Sequence, residues 1–203
     1  MSETALRSER GTREGRRRDL VGAAIVIIAE NGLAGTTLAK VAAEAGLTAG
    51  IVNHHFDTKD ALLIETLRTL SEEFAQGLDA ALAAAGDDAA AGLRAIIDHS
   101  FDPAVSDARH VAVWSAFQAE AHWRSSYTAL CGDRDRAYMA AIRDRIAGLG
   151  AAPADAEVLA RAFAGLLDRY WHDILFAEES FDRPAARAAC RRFLAALLPF
   201  EEP

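Results

Sequence analysis

Two stretches of the chain place aromatic rings and carboxylates at helical spacing. Trp114, Phe117, Glu120 and Trp123 fall in one, and Asp168, Trp171 and His172 in the other. Residues three or four apart share a helix face, so Trp114, Phe117 and Gln118 look the same way, as do Asp168 and Trp171. An indole face beside a carboxylate suits an organic cation such as a quaternary ammonium: the ring attracts the charge and the carboxylate balances it. A tryptophan on a helical stripe serves equally well as core packing, and spacing does not choose between the two. Trp114, Phe117, Glu120, Asp168 and Trp171 are the ligand candidates.

A different chemistry sits near the N-terminus. Residues 7–18 carry six arginines, among them Arg16, Arg17 and Arg18, against Glu9 and Glu14. Residues 1–60 hold eight basic and eight acidic groups, so the net charge of −8 belongs to residues 61–203. Such a balance argues against a non-specific nucleic-acid binder. A neutral head with a cationic leading edge on an acidic body fits DNA bound at one end.

Catalytic constellations are missing from the sequence. There is no Gly-x-Ser-x-Gly elbow, phosphate loop, Cys-x-x-Cys or His-x-x-x-His, so an enzyme is not expected. Asp133, Asp135, Glu178 and Glu179 read as solvated helix charges. His54 and His55 point about 100° apart on a helix and do not converge on one ion, so no metal and no cofactor is expected.

The elements that must position these groups follow from periodicity. Leu20, Ala23, Ala24, Ile27 and Ile28 make a helical stripe from about Glu14, which Asn31-Gly32 ends. Thr36-Thr37 offers an N-cap for a short helix with Leu38, Val41, Ala42 and Ala45 on its buried side. Gly46 ends that helix, and Thr48 caps a third running to about His55. Three helices in so few residues, the last two joined by a glycine turn, form a helix-turn-helix pattern. Asp57 or Thr58 starts a long fourth helix with Leu63, Leu67, Leu70, Phe74, Leu78 and Leu82 in line. Further helices are expected to about Asp102-Pro103 and over about 106–123, 126–148, 153–177 and 184–198. The last two carry stripes of Leu159, Phe163, Leu166 and Leu167, and of Cys190, Phe193, Leu194 and Leu197. No run alternates with period two. The expected fold is all-α with about nine helices: a disordered basic arm over 1–13, a DNA-reading domain over 14–57 and a helical bundle over 58–203.

Bulk properties set the limits. A chain of 203 residues, 51% hydrophobic, can bury a sizeable core. Its longest apolar run, Val21 to Ala29, is too short to span a membrane. Two distant cysteines, Cys131 and Cys190, and a charged N-terminus lead to the expectation of a cytoplasmic protein without membrane association.

The segment from Gly35 through Thr36-Thr37, Gly46-Leu47-Thr48 and His55-Phe56 to Lys59 resembles the N-terminal domain of TetR-family regulators, and the likeness covers about residues 14–62. The resemblance implies that Thr48, Ala49 and Gly50 approach DNA closely, with Asn53 and His54 further along the exposed face. It gives Thr37, Lys40 and Lys59 contacts to phosphates and makes Arg16, Arg17 and Arg18 part of the same footprint. Asn53 stands where the family usually has tyrosine, and Ile51 where it often has threonine, so operator sequence does not carry over. Val113-Trp114-Ser115-Ala116-Phe117-Gln118-Ala119 and Gly165-Leu166-Leu167-Asp168-Arg169-Tyr170-Trp171 are similar to BetI-type repressors of that family, as are Phe101-Asp102 and Ser180-Phe181-Asp182. This likeness implies a homodimer joined through the last two helices, an operator palindrome, and release by a small-molecule effector, choline or another quaternary ammonium. Arg169 and Tyr170 depart from the subgroup, and an arginine beside Asp168 would weaken a cation site. A polyamine or hydrophobic drug as effector, or a scaffold without a ligand, remain the alternatives.

Overall fold

The computed structural model describes residues 3–200, with side chains over 13–177 and 179–200. The expected arm over 1–13 lies outside the residues described with side chains, apart from Arg13. Ten α-helices and no strand are found among the described residues: α1 (Glu3–Gly35), α2 (Leu38–Glu44), α3 (Ala49–His55), α4 (Lys59–Ala85), α5 (Ala89–Ser100), α6 (Pro103–Ser106), α7 (Ala108–Ala121), α8 (Ser125–Gly148), α9 (Pro153–Ala177) and α10 (Arg183–Leu197), with a 3-10 turn (Glu178–Ser180) before the last.

Local chemistry accounts for the boundaries. Gly32 takes φ 67°, ending the regular part of α1, and Thr36 donates to the Gly32 carbonyl at 2.8 Å. Asp88, Asp102 and Asp182 cap α5, α6 and α10 through their side chains, supplying acceptors to first-turn amides that a helix leaves unpaired. Thr58 rather than Asp57 caps α4, accepting from the Ala61 amide at 3.1 Å. The helix beyond the expected nine is α6. Asp102 and Pro103 read as a stop, but the Asp102 side chain accepts from Ala104 at 2.8 Å and starts one more turn.

Contacts divide the chain into two compact units. The first takes residues 1–70 and 112–128, and the second 71–111 and 129–203. In the first, α1 packs against α2 and α2 against α3. Leu20, Ala24 and Ile28 of α1, Val41 of α2, Val52 of α3, Phe56, and Leu62 and Leu63 of α4 are buried. In the second, Leu93, Ile96 and Ile97 of α5, Ile142 and Ile146 of α8, Phe163 and Leu167 of α9, and Cys190 and Leu194 of α10 form one hydrophobic cluster. Arg183 donates to the Ser106 carbonyl at 2.8 Å and Arg187 to the Phe101 carbonyl at 2.9 Å, tying α10 to the segment after α5.

The stripes of the last two helices divide between inside and outside. Phe163, Leu167, Cys190 and Leu194 are spent on the chain's own core, with Leu159, Leu166 and Phe193 packed against it. The apolar groups that stay on the surface are Val158, Phe176 and Leu197, 65%, 81% and 51% exposed.

Candidate nucleic-acid interface and ligand cage

The reading unit is set by one corner. Gly46 adopts φ 64°, a left-handed conformation costly for a side chain bearing Cβ. Its amide donates to Ala43 at 3.1 Å and that of Leu47 to Ala42 at 2.9 Å, satisfying the last carbonyls of α2. The turn delivers α3 with Val52 buried and Ala49, Gly50, Asn53 and His54 exposed. Thr48 stands at the N-cap of α3 in extended conformation, and its side chain makes no capping bond. It is exposed beside two residues with almost no side chain, which lets backbone approach a groove or a phosphate.

The cations gather at the same edge. His55 is held below its ordinary pKa by burial first, then by the charges of His54, Arg13, Arg16 and Arg17. Arg13, Arg16 and Arg17 of α1 thus lie close enough to the end of α3 for their charges to act on it. Arg16 and Arg18 are exposed. Arg17 instead lies over the Phe56 ring at 4.8 Å and donates to Glu65 at 2.8 Å, bracing α1 against α4.

Thr37 accepts from the Lys40 amide at 3.2 Å and so caps α2. The two lysines share a structural task. Lys40 donates to the Asn31 side chain at 2.7 Å and to the Gly35 carbonyl at 2.9 Å. Lys59 donates to the Ala34 carbonyl at 3.1 Å. Both ammonium groups neutralise the carbonyl end of α1, and each keeps N–H donors beyond these bonds.

The expected ligand residues are distributed over both units. Phe117 is buried in the first, its ring edge-on to Tyr127 at 5.1 Å. Glu120 accepts from Arg124 at 3.2 Å, and the same guanidinium reaches Asp60 at 3.0 Å, so this carboxylate already has a counter-charge. Trp114 is half-buried and Trp123 is on the surface. The rings that do converge lie within the second unit.

Phe74 of α4 stands 5.8 Å from Tyr138 of α8 and 6.1 Å from Trp171 of α9, at interplanar angles of 77° and 80°. Rings at near right angles and this spacing pack edge to face. Trp171 is held by a 2.9 Å bond from its indole N–H to the Ser100 carbonyl. His99 of α5 backs Phe74 at 4.8 Å between centroids, and its Nε2 lies 3.0 Å from the Phe74 carbonyl. Burial raises the Tyr138 phenol well above its ordinary range, against a hydrogen bond with Ser100 that lowers it.

Two carboxylates accompany these rings. Burial raises the carboxyl of Asp168; the charge of Asp135 adds to the rise and that of His172 opposes it. Burial likewise raises Asp135, opposed by Arg136. Both side chains nevertheless reach solvent. Arg169, the feared neutraliser, pairs with Asp173 one turn on and not with Asp168. Asp135 is exposed on α8, as the sequence reading has it, although partial burial raises its carboxyl. A concavity lined by Leu149, Val158, Leu159 and Leu197 holds Asp155 and no aromatic ring.

A short exposed helix set by a glycine corner, with arginines of α1 beside it, on a chain whose second unit is a helical bundle, defines a helix-turn-helix regulator with a helical body. Comparison with known proteins narrows the class. Residues 20–66 match the family described as bacterial regulatory proteins, tetR family, and residues 89–199 match BetI-type transcriptional repressor, C-terminal. The HTH-type transcriptional regulator BetI of Paraburkholderia xenovorans (strain LB400) is 32% identical over 95% of this chain and 98% of its own. A putative transcriptional regulator from Pseudomonas aeruginosa PAO1 superposes with a TM-score of 0.78 at 26% identity, covering 91% of this chain and 90% of that one. A putative regulator from Saccharomonospora viridis, solved in complex with choline, shares the fold with a TM-score of 0.79 at 20% identity over 91% and 98% of the two chains. The chain belongs to the TetR family, as a transcriptional repressor of the BetI type. Regulators of this family bind operator DNA and respond to small molecules, and they are not enzymes. No helix among the described residues is long and apolar enough to cross a membrane.

Proposed function

We propose that this repressor acts in the cytoplasm as a homodimer on a palindromic operator and is released from it by choline or another quaternary ammonium. What supports the effector class is the cluster of Phe74, Tyr138 and Trp171 on helices that also carry the exposed carboxylates of Asp135 and Asp168. Rings supply cation–π attraction to a charge that cannot donate hydrogen bonds, and dehydrated carboxylates gain most when a cation restores their solvation. The choline held by the fold relative from Saccharomonospora viridis accords with this reading. Thr48, Ala49, Gly50, Asn53 and His54 are the proposed groove contacts. Arg16, Arg18, Thr37, Lys40 and Lys59 are the proposed phosphate contacts, with Arg17 bracing the unit. Exposed Val158, Phe176 and Leu197 on α9 and α10 support a partner copy at those helices.

The mechanism proposed is a coupling of two equilibria. Helix α4 runs unbroken from Lys59 to Ala85 and contributes Phe74 to the cluster. A ligand that favours one setting of Phe74 biases α4, and DNA favours another. A coupling of about 1–3 kcal/mol changes operator affinity roughly 5- to 150-fold.

A thermal-shift panel of choline, betaine aldehyde, glycine betaine and spermidine tests the effector, followed by operator binding with and without the hit. Ligand at about 100 times its Kd adds roughly 2.7 kcal/mol of stability. A rise with choline that disappears in Trp171→Ala and Asp168→Asn, together with weakened DNA binding, is expected. A rise with spermidine alone moves the effector to polyamines, and no rise with any of them at millimolar concentration overturns the cation reading.

A further inference from the structure

The outward side of α3 is nearly bare. Ala49, Gly50, Asn53 and His54 are exposed, and Val52 is buried. Asn53 follows Ala49 by four residues and Gly50 by three, so these three share one side of the helix. A helical side chain leans back over the turn before it, which sets the Asn53 amide over the two positions without a polar side-chain atom. Of the three, Asn53 alone has a side chain able to form a hydrogen bond.

Most other polar groups of the reading unit are committed. Thr37 accepts from the Lys40 amide at 3.2 Å. Lys40 donates to Asn31 and to the Gly35 carbonyl at 2.7 and 2.9 Å, and Lys59 to the Ala34 carbonyl at 3.1 Å. Arg17 closes on Glu65 at 2.8 Å. His54 stands edge-on to His55 with 5.6 Å between ring centroids, and its charge acts on that ring together with those of Arg13, Arg16 and Arg17. A group in such cationic company suits phosphate. Thr48 caps nothing, but a lone hydroxyl pairs with donors and acceptors alike and distinguishes little. Asn53 has no hydrogen-bond partner among the described residues. Its amide offers a donor and an acceptor side by side. In the major groove adenine presents the complementary pair on one base, the N6 amino group and N7.

We propose that Asn53 is the specificity-determining residue of the reading head and recognises adenine. Its Oδ1 accepts from N6 and its Nδ2 donates to N7, so each operator half-site carries an A·T pair fixed by this one side chain. Ala49 and Gly50 contribute closeness, and the arginines of α1 contribute affinity that is the same for every sequence. The inference rests on the DNA-reading assignment above and adds which base is read and through which atoms.

The test selects duplexes from a random pool with the full-length protein at fixed salt, then measures Kd on the enriched duplex and on versions changed at one base pair. The wild type should enrich adenine at one fixed position of each half-site and lose roughly 5- to 150-fold when that pair becomes G·C. Asn53→Ala should lose this discrimination at that position alone, with the salt dependence of binding unchanged because no phosphate contact is removed. Asn53→Gln, which keeps donor and acceptor, should still select adenine. Arg18→Ala serves as the contrast: it should weaken all sequences alike and flatten the salt slope by about one. Asn53 is exposed, so its variants should melt as the wild type does. An Asn53→Ala protein that keeps the wild-type preference, or that weakens all duplexes alike with a flatter salt slope, overturns the inference and leaves the DNA-reading assignment standing. Failure of the wild type to enrich any duplex overturns both.

Discussion

Replacing Glu65 with glutamine removes the charge on which two arginines of the reading unit close. Glu65 is 8% exposed. It accepts from Arg17 Nε at 2.8 Å and from Arg68 Nη2 at 2.6 Å. Burial alone would raise its carboxyl, but the hydrogen bonds and charges of Arg17 and Arg68 bring it down from 4.5 to about 2. A folded-state pKa below the unfolded one means the folded chain holds its charge more readily. The resulting stability is present above about pH 4.5 and fades as pH falls toward 2. At neutral pH that depression corresponds to roughly 3 kcal/mol. Arg17 and Arg68 keep 35% and 41% of their side-chain surface exposed, so water can take them back when the acid is gone. The loss should therefore be about 2–3 kcal/mol, below that of breaking a fully buried pair. For a chain of this size it lowers Tm by about 4–12 °C. Urea unfolding of wild type and Glu65→Gln, followed by circular dichroism, should show that difference at pH 7 and see it shrink steadily from pH 5 to about pH 2.5. A difference below about 0.5 kcal/mol, or one independent of pH, would refute the argument that these charges hold α1 to α4.

Other positions carry predictions of their own. Gly46→Ala places a side chain at φ 64° and should cost about 1–2 kcal/mol, read as a fall in Tm with weaker operator binding; an unchanged Tm contradicts the corner. In Gly77→Ala the new Cβ would meet His99 Cε1 at 2.6 Å. Overpacking of about 1–3 kcal/mol and a several-fold loss of choline affinity should follow, since His99 supports Phe74. Choline affinity should decline as pH falls, starting above the ordinary carboxylate range of about 4, because Asp168 and Asp135 are raised and only their ionised forms attract the cation. His172, Arg136 and Tyr138 share that field, and a titration from pH 8 to 5 in Asp168→Asn should be flatter than in wild type.

What the sequence determined by itself is what depends on neighbours a few residues away. Thr37, Asp88 and Asp182 cap helices because an oxygen lies within reach of its own chain's amides. Gly46 turns the corner because glycine tolerates positive φ. The helix-turn-helix and the all-α fold were legible for that reason. The tertiary structure decided which charges meet and which face of each helix is covered. Arg17 belonged by pattern to the phosphate-facing arginines, and a glutamate 48 residues away claims it. Glu120 sat beside two candidate rings, and Arg124 occupies it together with Asp60 from the start of α4. Asp135 and Asp168 are exposed on α8 and α9, yet the helices packed beside them dehydrate both in part. A single acid on a helix has no fixed environment until other helices supply one: desolvation is a property of the volume around a group, and that volume is filled by residues remote in sequence.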